Sequence, residues 1–156
     1  MKAKDGVLEL LNQVLRAELT AVHQYLLHAA LCKNWGYSRL SDHLSHLAQE
    51  EVGHSSGLMD HVLYLDGAPD VEHLDTVAHG GDVAALITAD LEFEREDAEL
   101  LRKAIVHCAK VGDFTTRHIL EHMIIDTEEH IDWFETQLRV IKQVGPERYL
   151  SEQIKK

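Results

Sequence analysis

The stretch VLELLNQVLRAELTAVHQYLLHAALCKNWG, residues 7–36, decides the fold. Val7, Leu8, Leu11, Leu15, Leu19, Val22 and Leu26 recur at three- and four-residue steps, the period of one apolar helix face. Asn34-Trp35-Gly36 closes the pattern. A helix of about 30 residues is about 45 Å long, too long for a small globin-like packing and natural for an elongated bundle. The rest of the chain repeats the theme. A second helix, capped by Ser38 or Ser41, is expected as far as Asp66, where Gly67-Ala68-Pro69 stops it. Residues 67–81 form the one long connection and end in Gly80-Gly81. Asp82 caps a third helix, Gly112-Asp113 makes a tight break, and Gly145-Pro146 opens a short tail helix. The expected helices are 5–35, 38–66, 82–111, 114–144 and 147–155, within a single domain over 1–156. Connections that run short, long, short give two antiparallel hairpins joined by one crossover. The fold class is therefore all-α, a four-helix bundle with a short fifth helix.

The composition narrows the partners. Fifteen Lys and Arg face 27 Asp and Glu, a formal charge of −12, and there are 12 histidines. A surface this negative repels phosphate backbones and anionic lipid, so neither nucleic acid nor a membrane is expected as a partner. It attracts cations, and carboxylates with imidazoles are ligands for divalent transition metals. The longest run free of Asp, Glu, Lys and Arg, Leu19 to Cys32, is 14 residues, too short to span a bilayer. The N-terminus MKAKDGVLELL lacks the apolar core of a signal peptide, and Cys32 and Cys108 lack C-x-x-C spacing. A cytoplasmic location with two buried, unpaired thiols is the expectation.

The chemistry lies in an internal echo. Glu51-Val-Gly-His54 on the second helix matches Thr127-Glu-Glu-His130 on the fourth. Glu18 precedes Glu51 by 33 residues, and Glu94 precedes Thr127 by the same 33. Residues three apart share a helix face. One Glu from each of two helices, with Glu-x-x-His from each of the other two, is the ligand set of ferritin-like di-iron carboxylate proteins. The chain meets it at Glu18, Glu51, His54, Glu94 and His130, and departs from it at Thr127. Taken singly, Glu18 or one Glu-x-x-His reads as a solvated charge; the matched spacing on four helices makes the set specific. Two irons held there with open positions can pass two electrons to dioxygen or peroxide. Tyr25, seven residues after Glu18, is either a core aromatic or a hydrogen-bond and redox partner of the centre. His43, His46, Glu50, His54 and His61 step along the second helix at intervals of three and four, save for the seven-residue gap between His54 and His61. They are either a solvated stripe or a set of weak iron sites, with His46 and Glu50 the best pair. His23, His28, His73, His79, His107, His118 and His122 are assigned to the surface or to interfaces.

Gln24-Tyr25, Lys33-Asn34-Trp35-Gly36, Glu51-x-x-His54, Leu63-Tyr-Leu-Asp-Gly-Ala-Pro69, Asp90-Leu91, His130-Ile-Asp-Trp133, Tyr149-Leu150 and Gln153-Ile154 together resemble the bacterioferritin family over essentially the whole chain. The resemblance implies a hollow shell of 24 subunits, ferroxidase activity, and a ferric oxyhydroxide or phosphate core. It also implies haem b between two-fold-related subunits and a small ferredoxin that delivers electrons for iron release. By resemblance, His46 and Glu50 match an inner-surface iron site, with Glu50 in place of the usual Asp. Two residues depart from the family. Val52 stands where the family has its haem-ligating Met, so no haem b is expected in a shell built of this chain alone, and Met59 is two turns away. Thr127 stands where the family has a bridging Glu. Glu128 and Glu129 lie about 100° and 200° around the helix from it, whereas Asp126, four residues before His130, shares a face and is the nearest replacement. A mixed shell with a second bacterioferritin subunit is one remedy for both losses. The alternatives are a non-catalytic structural subunit, or a non-storage di-iron enzyme that reduces peroxide or oxygen.

Overall fold

The computed structural model describes residues 1–154, which form five helices and no strand. These are α1 (Val7–Asn34), α2 (Ser38–Tyr64), α3 (Val83–Val111), α4 (Phe114–Val144) and α5 (Pro146–Ser151). α1 packs along α2 and α3 along α4, α1 also meets α3, and α5 folds against α4. The architecture is the ferritin-like bundle with one long crossover.

Local chemistry explains the ends. Gly6, at φ 75°, turns the chain into α1 at Val7 rather than at residue 5. Asp82 and Asp113 accept hydrogen bonds from Ala85 N and Thr116 N, capping α3 and α4. α2 differs from expectation at both ends. Neither Ser38 nor Ser41 caps it; Tyr37 is the N-cap and makes no side-chain bond. The C-terminal segment supplies partners instead. Arg39 N donates to Gln153 O at 3.0 Å, and Ser38 Oγ donates to Ile154 O at 3.0 Å. α5 stops at Ser151 and not at 155, its end tightening into i→i−3 turns from Glu152 N to Tyr149 O and Gln153 N to Leu150 O; Lys155 and Lys156 lie outside the described residues. At its other end α2 stops at Tyr64 because Asp66 adopts a left-handed conformation (φ 58°) and Gly67 N reaches back to Val62 O at 2.9 Å.

The apolar core is split in two. One cluster gathers Tyr25, Leu44, Leu86 and Phe134, and the other Leu11, Leu15, Leu58, Leu101 and Leu120. Between them lies a buried polar waist containing Glu18, Glu51, Glu94, Thr127 and His130. Cys32 and Cys108 are free and buried, and burial pushes both thiols up to about 11.

The crossover has no regular structure, so its backbone groups need other partners. α1 supplies them at four-residue steps. Asn12 donates to Ala68 O and accepts from Asp70 N, Arg16 pairs with Asp75, Thr20 Oγ1 accepts from Asp75 N, and Gln24 Oε1 accepts from Ala78 N. His28 ends the row and corrects its expected place at the surface. It is fully buried, with Nε2 donating to Ala78 O at 2.6 Å and Nδ1 2.8 Å from Asp90. A polar residue once per helical turn is solvated on a lone helix, and here the crossover covers it.

Candidate metal centre

The waist joins side chains from all four long helices, because helical spacing turns Glu18, Glu51, Glu94, Thr127 and His130 to the interior. Donor atoms of Glu18, Glu51 and His54 lie within 4.8 Å of one another, and so do those of Glu51, Glu94 and His130. The two triplets share Glu51. His54 Nδ1 is 3.2 Å from Glu51 Oε2 and 3.3 Å from Glu18 Oε2. His130 Nδ1 is 3.2 Å from Glu94 Oε1 and 3.4 Å from Glu51 Oε1. Both histidines thus turn Nδ1 inward.

Their outer nitrogens face carboxylates. His54 Nε2 donates to Asp126 Oδ2 at 2.8 Å, and His130 Nε2 donates to Glu50 Oε2 at 2.6 Å. Asp126 therefore sits on the far side of the His54 ring, half exposed, and belongs to neither triplet. Such outer partners fix ring orientation and raise ligand basicity. Glu50 also meets exposed His46 at 2.9 Å and so links that pair to the centre. The rest of the α2 stripe divides. His43 stacks on Trp133, and buried His61 bonds Thr116 Oγ1.

Tyr25 is buried and its hydroxyl donates to Glu94 Oε1. Burial and the nearby charges of Glu94 and Asp90 hold its own proton on. Thr127 is buried too, but its hydroxyl donates to Met123 O at 3.1 Å, within its own helix. Position 127 thus gives the waist no carboxylate from α4, and its hydroxyl proton is spent within the helix.

The electrostatics are unbalanced. Burial opposes protonation of His54, yet Glu51 and then Asp126 hold it up at about 9. His130 is likewise opposed by burial and held up at about 11, by Glu51, Glu94 and Glu50. Burial raises Glu51, but the two histidines outweigh it and keep its carboxyl low. Burial leaves Glu94 raised despite the His130 hydrogen bond. Three buried carboxylates thus face two imidazoles, and a fourth, Asp97, stands near them; burial and the charges of Glu94 and Glu51 push it far up. Glu18 Oε1, Glu94 Oε2 and Asp97 Oδ1 are buried and accept no hydrogen bond among the described residues. Orphaned buried acceptors of one sign are costly unless a cation answers them. Oxygen and imidazole donors in two triplets with one shared carboxylate fit a pair of divalent transition-metal ions. Outside, a cleft of about 250 Å3 lined by Gly53, His54, Gly57, His118 and His122 opens beside His54.

The haem question turns on Val52. It is exposed on α2 and its hydrocarbon side chain has no donor atom, so it does not fit axial ligation. Met59 packs against the second core cluster instead of taking its place.

A family model described as a ferritin-like domain matches residues 8–144. The chain is 37% identical over 149 residues to a bacterioferritin of Mycolicibacterium paratuberculosis, covering 96% of this chain and 94% of that one. It is 35% identical over 149 residues to a bacterioferritin of Rhodobacter capsulatus, covering 96% and 92%. It is similar as well to a bacterial ferritin of Synechocystis, at 35% over 155 residues and 99% of each chain.

Proposed function

This chain belongs to the bacterioferritin family of ferritin-like proteins, and from that premise we propose that it stores iron, oxidising ferrous ions at the bundle waist before they enter a ferric mineral. The observation that carries the reading is the pair of triplets sharing Glu51, with orphaned carboxylate oxygens beside them. Ferrous iron is the substrate, and each of two ions gives one electron to dioxygen or peroxide.

The side chains divide the labour. Glu18 and His54 hold one ion, Glu94 and His130 the other, and Glu51 spans the two. Asp126 and Glu50 hold the imidazoles by their outer nitrogens, so Nδ1 is the atom that loses its proton to solvent when an ion arrives. Tyr25 keeps Glu94 in place through its hydroxyl. Glu50 and His46 offer the oxidised ion a first step toward the interior of a hollow shell. Exposed Leu26, Val52, Leu63 and Tyr64 on α1 and α2 support assembly into that shell, of 24 subunits in this reading.

Purified protein tests the function. Ferrous oxidation is expected to run well above the rate in buffer, and Glu18→Ala is expected to lower it about tenfold or more, since outer partners alone are worth that much. Oxidation at the buffer rate, rescued by Thr127→Glu, sinks the enzymatic reading. It would favour the second one, that Val52 and Thr127 mark a subunit completed in a mixed shell.

Proton release is a further check. His54 and His130 hold protons up to about 9 and about 11, so filling the centre at neutral pH displaces them. A pH-stat titration with Co2+, which oxygen oxidises slowly, is expected to show at least about two protons released per subunit, and tighter binding as pH rises toward 9.

A further inference from the structure

The waist lacks a carboxylate on α4, and the structure holds a spare one on α3. Asp97 lies three residues after Glu94, on the same helix face. Its level in the bundle follows from the hairpin. Glu94 is seventeen residues before the end of α3 and His130 sixteen after the start of α4, and the two are hydrogen-bonded. Asp97 is fourteen before the same end and Thr127 thirteen after the same start. In an antiparallel pair with equal rise, Asp97 therefore stands level with Thr127. Thr127 is short and turns its hydroxyl back to Met123 O, so it does not fill the space a longer carboxylate would take. Asp97 is 5% exposed, and its Oδ1 accepts no hydrogen bond among the described residues.

We propose that Asp97 is a metal ligand of the waist, supplying from α3 the carboxylate that Thr127 denies it on α4. The proposal rests on the two-metal reading of the waist. Asp97 belongs to neither triplet. Turning its side chain toward Glu51 and Glu94 would bring it to the second ion, where the cation would offset the repulsion among the three. The centre would then be asymmetric, with Glu51 shared from α2 and Asp97 standing in for the carboxylate that α4 lacks. This residue carries the same three-residue spacing from Glu94 as His54 does from Glu51.

Equilibrium titration with Co2+, read by its visible absorption, tests the assignment without turnover. The intact protein is expected to bind roughly two ions per subunit. Asp97→Asn, which keeps shape and removes charge, is expected to weaken one of the two about tenfold or more and to alter the band of that ion. Thr127→Glu in the Asp97→Asn background is expected to restore it. A thermal melt of the metal-free variant, expected no lower than the parent, shows that the fold is kept. Two ions bound with unchanged affinity in Asp97→Asn overturn the role of Asp97 and leave the two-metal centre standing. Failure of the parent to bind more than its Glu18→Ala variant overturns the centre, and this inference with it.

Discussion

Glu51→Gln is expected to empty both halves of the waist at once and to slow ferrous oxidation by at least about a hundredfold. Among the described residues, no other side chain belongs to both triplets. Removing an outer partner such as Asp126 misorients one imidazole, and removing Glu18 weakens one ion. Glutamine at position 51 keeps the shape but offers one neutral oxygen, and a neutral amide cannot bridge two cations as a carboxylate does. It also removes the group that holds His54 and His130 protonated, so their affinity for protons falls together. Stopped-flow oxidation measures the rate, and Co2+ stoichiometry counts the ions that remain. Retention of one tight ion per subunit would show two independent sites and contradict the shared carboxylate.

The second large effect is on stability. Asp90→Ala is expected to cost about 3–5 kcal/mol, the range found when one partner of a buried ion pair is removed. Asp90 and His28 are both fully buried. Nε2 of His28 faces a backbone carbonyl and must donate, while Nδ1 faces the carboxylate. Burial works against a charged His28, but the Asp90 hydrogen bond outweighs it and raises the imidazole above its ordinary value. Gln24 donates to the same carboxylate at 2.8 Å, so the variant loses that bond too. The sign of the pH dependence follows. A raised histidine contributes stability that is fully present below about 6.5 and fades as pH climbs through the raised value. Chemical denaturation at pH 6 should show the full loss, and the gap to the parent should narrow in alkali. Because His28 and Gln24 hold Ala78, limited proteolysis within 67–81 should quicken in Asp90→Ala. An unchanged denaturation midpoint would mean that the pair is neutral and does not hold the crossover.

Glu18, Glu51, His54, Glu94 and His130 were legible because a helix converts spacing into direction. The equal interval of 33 residues in both hairpins meant that if one pair met, so did the other. Asp97 carries equally plain spacing, yet it sits in a run with Glu92, Glu94, Glu96 and Glu99. Nothing short of burial separates it from the solvated acids beside it. His28 was missed for the same reason, since its cover is a loop about fifty residues further along the chain. The partners at the N-terminus of α2 are Gln153 and Ile154, at the far end of the chain. Local capping rules see only neighbours, so they assigned that task to serine.

By itself the sequence determined the helical bundle, the order of its hairpins, the residues of the waist and the absence of a carboxylate at 127 and of a sulfur donor at 52. Those are properties of period and identity, which need no coordinates. The tertiary structure decided which atoms face inward. It turned Asp126 and Glu50 to the outer nitrogens of His54 and His130, folded the Thr127 hydroxyl back on α4, and left the Asp97 oxygen without a donor among the described residues. The physical reason is that the energy of a polar atom depends on what surrounds it. A carboxylate in water costs nothing, and the same group in a dry waist demands a proton, a partner or a cation. Burial is a property of all four helices together, and no single stretch of chain records it.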